Sequence, residues 1–252
     1  MSAGRPELPP FFSLHAFECI DSTNEEALKL ARGGAPEGTL VWAREQSKGR
    51  GRRGRGWASP PGNLYISLLL RPGVPPAAAA QTGFLAAVAL AETLEAILPP
   101  GRGLSCKWPN DLLIDGAKVS GILPEAEAAG GLVEALVLGI GVNVASFPPG
   151  LPYRVTSLAA AGARIGVEGL LEALAPRLAS WYELWRRDGF PPVRRRWLDF
   201  ATGLGEPIEV RLEREVLSGR FARLDDSGAL DLELPGGGRR LVTAGDVFHP
   251  AG

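Results

Sequence analysis

The chain has 252 residues, 45% of them hydrophobic, so it is long enough to bury a substantial core. Its formal net charge of -1 excludes a molecule drawn as a whole to nucleic acid or to an anionic membrane. Cys19 and Cys106 are too few and too far apart for a disulfide framework or a zinc cluster. Residues 1–12 lack the pattern of a secretory signal, so we expect a cytoplasmic protein with reduced thiols.

The first 150 residues predict strands that alternate with helices. Ser22 and Glu25 are expected to form a capping box for a helix over 23–32. A long helix is predicted over 77–98. Its apolar stretch 83–98 is interpreted as part of a buried core helix, because Glu92 and Glu95 interrupt it and it is too short to cross a bilayer comfortably. Strands are predicted over 14–20, 39–44, 64–70, 104–107, 111–114, 118–123 and 132–144.

The composition of the chain changes near Thr202. Helical periodicity covers 168–187 and 192–200, whereas 205–249 consists of short alternating runs divided by Gly and Asp. The patterns predict an α/β (α+β) fold, with a mixed β-sheet and packed helices over 1–203 and a small β-barrel over 204–252.

A basic, glycine-rich segment precedes Trp57. Its glycines would let backbone amides approach an anion, and its arginines offer forked donors that match carboxylate and phosphate. Gly49-x-Gly51-x-x-Gly54 has the letters of a dinucleotide fingerprint, but no helix start follows it, and a Walker loop is also absent. By itself the segment favours a generic polyanion-binding patch, and RNA binding stays open. Its cations are Arg44, Lys48, Arg50, Arg52, Arg53 and Arg55.

Several further motifs give the basic segment a context. They are Ser22-Thr23-Asn24, 46–57, 59–65, Lys107-Trp108-Pro109-Asn110-Asp111, 118–123 and Gly139-Ile140-Gly141-Val142-Asn143. In order and spacing, the set resembles the biotin protein ligases over about residues 17–147, and the C-terminal part resembles the SH3-like domain that ends those proteins. The form implied is the short one, without an N-terminal DNA-binding domain. Pro124 stands where that family has valine, which predicts an edge or a bulge.

The resemblance implies an enzyme that joins biotin to AMP from ATP and then transfers biotin to a lysine. The acceptor would be the biotin carboxyl carrier domain of a carboxylase. Mg²⁺ is expected with ATP, held by phosphate oxygens and water, and its protein ligands are unknown. Neither sequence-specific DNA nor a membrane is expected as a partner, and a homodimer is compatible with the resemblance.

The resemblance also implies site residues. Arg50, Arg52 and Lys118 would be catalytic, because cations around two reacting anions lower the barrier between them. Considered alone, Ser22 would more often be a helix cap and Lys118 a solvated lysine. The residues implied for biotin are Ser22, Thr23, Asn24, Gln46, Arg50, Gly51, Arg52 and Lys118. Those implied for ATP are Arg52, Trp57, Lys107, Asn110 and Asn143.

Two other functions compete with this one. A lipoate or octanoate ligase or transferase would share the fold, although neither cysteine has a base beside it in sequence, as a thioester intermediate would require. A nucleic-acid-binding regulator could use the basic segment, but the near-neutral charge and the lack of a recognition helix argue against it.

Overall fold

A mixed seven-stranded sheet forms the larger part of the molecule. The computed structural model describes residues 6–248, so the outer ends of both predicted domains, 1–5 and 249–252, lie outside it. The sheet order is β1-β2-β3-β7-β6-β5-β4, in which only β1 and β2 are parallel. The strands are Ser13–Ile20 (β1), Thr39–Gln46 (β2), Leu64–Leu70 (β3), Leu104–Lys107 (β4), Asp111–Ile114 (β5), Ala117–Ala129 (β6) and Leu132–Val142 (β7).

Five helices accompany the sheet in the described residues. The single helix predicted over 77–98 is two helices, and the Thr82 hydroxyl donates to the Ala79 carbonyl at 2.7 Å where they meet. One helical stretch of residues 6–248, Pro76–Ile97, is long and apolar enough to span a membrane, and 78% of its most apolar window is buried in the protein. The helices are Thr23–Arg32 (α1), Pro76–Ala79 (α2), Thr82–Ile97 (α3), Val167–Asp188 (α4) and Phe190–Asp199 (α5).

A second, antiparallel sheet follows the helices. Its order is β11-β10-β9-β8-β12, and its apolar side chains join the main core. Trp108 donates its indole N–H to the Gly228 carbonyl at 3.1 Å, which ties this sheet to the turn between β4 and β5. Asp246 of β12 forms ion pairs with arginines of the basic segment, so β12 lies beside that segment. The strands are Pro207–Arg211 (β8), Val216–Leu224 (β9), Leu230–Glu233 (β10), Arg239–Val242 (β11) and Asp246–Phe248 (β12).

Two local expectations have different outcomes. The capping-box prediction is wrong, because Ser22 occupies the N-cap without a side-chain cap bond and Glu25 instead pairs with Arg50 at 3.2 Å. The edge predicted at Pro124 is confirmed. On one side of β6 the pairing with β7 continues past Pro124, whereas on the other side the pairing with β5 ends at Gly121.

Candidate active site

One cavity of about 230 Å³ gathers nearly all of the predicted site residues. It opens between the start of α1, the basic segment, the β6–β7 face of the sheet and β12. Its volume is below the roughly 300–1,000 Å³ typical of ligand pockets. Of the predicted site residues, those that line it are Ser22, Thr23, Asn24, Gln46, Arg50, Gly51, Arg52, Trp57, Lys107, Asn110 and Lys118.

One end of the cavity is built from buried polar side chains. Gln46 accepts from the backbone N–H of Thr23 at 2.8 Å and donates to the Ser59 hydroxyl at 2.9 Å. Ser22, Thr23 and Asn24 are each at most 4% exposed. Hydroxyl and amide groups both donate and accept hydrogen bonds, so this end is suited to a ligand that does the same.

Asn24 fits at this end because residue 139 is a glycine. A Cβ at Gly139 would lie 2.2 Å from the Asn24 amide oxygen, which is too close for any real contact. The amide nitrogen of Asn24 donates to the Leu123 carbonyl at 3.2 Å and to Glu125 at 2.6 Å. The glycine on β7 therefore lets a polar side chain from α1 lie against the sheet.

Arg50 lies next to the polar end and is held by two carboxylates. One guanidinium nitrogen contacts Glu125 at 2.6 Å and 2.7 Å, and the other contacts Glu25 at 3.2 Å. Acids from α1 and β6 thus orient a cation at the cavity wall.

Three further arginines of the basic segment face Asp246 on β12. Arg55 contacts this carboxylate at 3.0 Å, Arg53 at 3.6 Å and Arg52 at 3.8 Å. Burial lowers the pKa of Arg52, but a guanidinium stays charged at neutral pH. Arg53 adopts φ 54°, a left-handed conformation that is unusual for a residue with a side chain. This turn brings the guanidinium groups of Arg52, Arg53 and Arg55 to the carboxylate of Asp246.

Two lysines supply the other cations. Lys118 forms an ion pair with Asp111 at 2.6 Å, and its ammonium lies 5.4 Å from the Trp57 ring centre. Lys107 lies 5.3 Å from the ring centre of Phe248. Burial lowers the pKa of Lys107, against the opposing effect of Asp111.

Trp57 lies against a pair of glycines that face each other across β6 and β7. A Cβ at Gly121 would be 3.0 Å from the indole, and one at Gly141 would be 2.8 Å from it. The indole N–H is buried and has no hydrogen-bond partner within the described chain. The flat indole ring of Trp57 covers part of the cavity floor and so reduces the volume of the cavity.

The structure does not bring Asn143 to the cavity with the other predicted residues. Its side chain is 3% exposed and donates to the Thr156 carbonyl at 3.0 Å. Asn110 does line the cavity, where it accepts from Arg52 at 3.3 Å and donates to the Ile122 carbonyl at 2.9 Å.

Sequence reasoning missed several lining or supporting residues. Asp246 and Phe248 lie almost 200 residues from the basic segment in sequence, and no motif marks them. Glu125 follows the noted Pro124 but carries no signal of its own. Tyr153, whose ring centre is 5.8 Å from the Lys118 ammonium, lies in an irregular segment.

Among residues 6–248, no thiol lines the cavity and no cluster of metal-binding side chains is formed. This part of the chain contains no group of three or more His, Cys, Asp or Glu side chains able to hold a metal ion. Neither Cys19 nor Cys106 lines the cavity, and burial raises the pKa of Cys106 to about 12. A thiolate nucleophile is therefore not available at this site.

Comparison with known proteins identifies the family. The model of the biotin/lipoate A/B protein ligase family matches residues 16–143, and the model of the biotin protein ligase C-terminal domain matches residues 203–249. The chain belongs to the biotin/lipoate A/B protein ligase family, and within it to the biotin protein ligases.

Individual relatives agree with this assignment. The chain is 45% identical over 234 residues to a biotin–[acetyl-CoA-carboxylase] ligase of Paracoccus denitrificans, covering 90% of this chain and 97% of the relative. It is 36% identical to the bifunctional ligase/repressor BirA of Bacillus subtilis, over 90% of this chain and 71% of the relative. A biotin protein ligase structure from Aquifex aeolicus, in complex with biotin and ATP, superposes with a TM-score of 0.79 at 28% identity, covering 94% and 97% of the two chains.

Proposed function

We propose that the cavity activates biotin with ATP and then passes the biotinyl group to a lysine of a biotin carboxyl carrier domain. The observation that carries this proposal is that one cavity joins a buried hydrogen-bonding end to six cationic side chains, among them Arg50, Arg52, Lys107 and Lys118. A relative named for ligation to acetyl-CoA carboxylase supports a carboxylase carrier domain as acceptor.

In the first step a biotin carboxylate oxygen attacks the α-phosphorus of ATP. A new phosphorus–oxygen bond forms, the bond to the bridging oxygen breaks, and pyrophosphate leaves. Two anions must approach, so cations that neutralise both lower the barrier. We assign this role to Arg50, Arg52 and Lys118, and we place the ATP phosphates near Lys107.

In the second step the neutral amine of the acceptor lysine attacks the carbonyl carbon of the adenylate. The carbon–oxygen bond to AMP breaks, an amide forms, and the amine releases a proton as AMP leaves. The enzyme needs no nucleophile of its own for this step.

We assign Ser22, Thr23 and Gln46 to binding of the biotin ureido ring, whose N–H groups donate hydrogen bonds and whose carbonyl accepts them.

Several accompanying features belong to the same proposal. Mg²⁺ would arrive with ATP, held mainly by phosphate oxygens and water, as is usual for this ion. We place the division between the catalytic and C-terminal domains between residues 203 and 204. A cytoplasmic location, a homodimer and the absence of sequence-specific DNA binding are also proposed.

A competition among acids tests the proposed substrate. Enzyme, ATP and Mg²⁺ are incubated with biotin, lipoate or octanoate, and the adenylates are measured by mass spectrometry. The polar end of the cavity predicts biotinyl-adenylate as the dominant product, since its hydroxyl and amide groups can hydrogen-bond a ureido ring but not an alkyl chain or a dithiolane. Equal or greater formation of lipoyl- or octanoyl-adenylate would refute the assignment.

A further inference from the structure

Lys107 is a cavity cation that no acid contacts directly. No carboxylate of residues 6–248 lies within ion-pair distance of its ammonium. The neighbouring Lys118 differs, because it is paired with Asp111 at 2.6 Å. The charge of Lys107 is therefore left for a ligand, and the position of its ammonium has to come from other contacts.

The aromatic ring of Phe248, on β12, supplies such a contact. The Lys107 ammonium lies over this ring, 5.3 Å from its centre. A ring attracts a cation over its face within roughly 6 Å. An acid in the same place would neutralise the ammonium and compete with phosphate for it. A ring carries no charge of its own, so it stabilises the ammonium and leaves it free to bind an anion.

The C-terminal sheet holds the Phe248 ring in place. Phe248 lies opposite Glu209 in the antiparallel pairing of β12 with β8. The guanidinium carbon of Arg211 lies over the ring, 4.1 Å from its centre, and the Arg211 Nε donates to Glu209 at 2.7 Å. Because Arg211 is tied to Glu209 and packs on the ring, the ring has a fixed place beside Lys107.

Charged groups also surround Lys107 at longer range. Burial is the largest influence on the pKa of Lys107, and it lowers this pKa. Asp111 on β5 and Asp246 on β12 raise it, because acids favour the ammonium. Lys118 on β6 and Arg55 of the basic segment lower it. A contact that favours the ammonium without pairing its charge would offset part of the cost of burial.

We infer that Phe248 is a positioning residue that holds the Lys107 ammonium, charged and unpaired, at the cavity for the phosphates of ATP. This inference rests on the proposed function and adds a side chain on which the binding of ATP depends. It predicts that Lys107 requires an aromatic ring on β12, and that apolar bulk of similar size cannot replace the ring.

The first measurement follows Lys107 itself, without any ligand. Enzyme with lysine isotopically labelled at the ε carbon is titrated by NMR, and the Lys107 signal is assigned by its loss in Lys107→Arg. In Phe248→Leu the ammonium should lose its proton at a lower pH than in the normal enzyme, because the variant lacks a contact that favours the charged form. Phe248→Met, a second ring-free variant, should do the same, whereas Phe248→Tyr should titrate normally.

The second measurement is adenylate synthesis. In the ring-free variants KM for ATP should rise about threefold at neutral pH, the size of one cation–π contact, while KM for biotin stays the same. Phe17→Leu is the matched control, because Phe17 is also half-buried but lies on β1, at the other edge of the main sheet from β4. This control should change neither the titration nor KM for ATP.

Two results would overturn the inference. One is an unchanged or higher titration midpoint for Lys107 in both ring-free variants. The other is an equal rise of KM for ATP and for biotin, which a merely structural role would produce. A normal enzyme that makes no biotinyl-adenylate would instead refute the proposed function, and the ligand-free titration would still decide whether Phe248 holds the Lys107 ammonium.

Discussion

Lys107 is a cation of the cavity whose pKa is shifted by its surroundings. Burial lowers its pKa, so its ammonium would lose a proton at a lower pH than an exposed lysine does. If Lys107 binds phosphate as a cation, KM for ATP should rise on the alkaline side as that proton is lost. Lys107→Arg keeps the charge and should move the alkaline rise to higher pH, measured by adenylate synthesis against pH. Lys29→Arg is the control, because the Lys29 side chain on α1 is exposed. An unchanged alkaline limb in Lys107→Arg would show that another group titrates.

Lys118 and Arg52 are proposed to neutralise the biotin carboxylate and the α-phosphate of ATP as these two anions react. Lys118→Ala and Arg52→Ala should each lower biotinyl-adenylate synthesis by roughly 100-fold or more, as removal of one electrostatic contact in an active site does. The far-UV circular dichroism and Tm should change little, because both side chains lie at the cavity rather than in the apolar core. The exposed pair Lys29→Ala and Arg187→Ala provides controls. Near-normal synthesis by either test variant would remove that residue from the proposed mechanism.

The sequence was sufficient to predict the cavity residues that lie in local motifs, but not those that reach it through the tertiary fold. The cavity includes Gln46, Arg50 and Lys118, each within a recognisable motif. Asp246 and Glu125 could not be predicted, because their contacts with arginines depend on how distant strands are placed. Asn143 shows the opposite case, since its motif pointed to the site whereas its side chain bonds to a backbone carbonyl.

The segment 49–56 is the element expected to move during the reaction. Its eight residues are four glycines and four arginines, so no apolar side chain anchors it. Its ion pairs with Glu125 and Asp246 are partly exposed, and such pairs contribute only about 0–1 kcal/mol each. Phosphate and carboxylate would add several charge-assisted bonds, which could offset the entropy lost on ordering and shield the adenylate from water.

Hydrogen exchange tests this movement. Amides of 49–56 should exchange at least about tenfold more slowly with biotin and ATP than without ligand, whereas those of α3 should not change. Biotin alone should protect the segment partly. Equal exchange with and without ligands would favour a preformed anion site over ligand-coupled ordering.

Helices and strands could be predicted where the apolar periodicity is strong. Details at the ends of helices, which periodicity does not determine, could not. The bounds of α1 match the prediction, yet the expected capping box is absent because Glu25 contacts Arg50. The division between α2 and α3 depends on a hydroxyl contact of Thr82, which hydropathy does not reveal.

The C-terminal sheet completes the cavity through Asp246, so the two parts of the molecule should be coupled. Asp246→Asn removes the carboxylate shared by Arg52, Arg53 and Arg55, and we expect faster proteolysis of the empty basic segment with little change in Tm. Asp226→Asn, in the same part of the molecule, is the control, since its side chain is 98% exposed and pairs with Arg194. Unchanged proteolysis in Asp246→Asn would mean that Asp246 does not restrain the segment.

The most direct test of the whole account is transfer of labelled biotin to a purified biotin carboxyl carrier domain. With ATP and Mg²⁺ present, the carrier should gain one biotinyl group at a single lysine, and AMP and pyrophosphate should appear in equal amounts. A carrier with that lysine changed to arginine should stay unlabelled while biotinyl-adenylate still forms. Failure of the enzyme both to form the adenylate and to label the carrier would contradict the account.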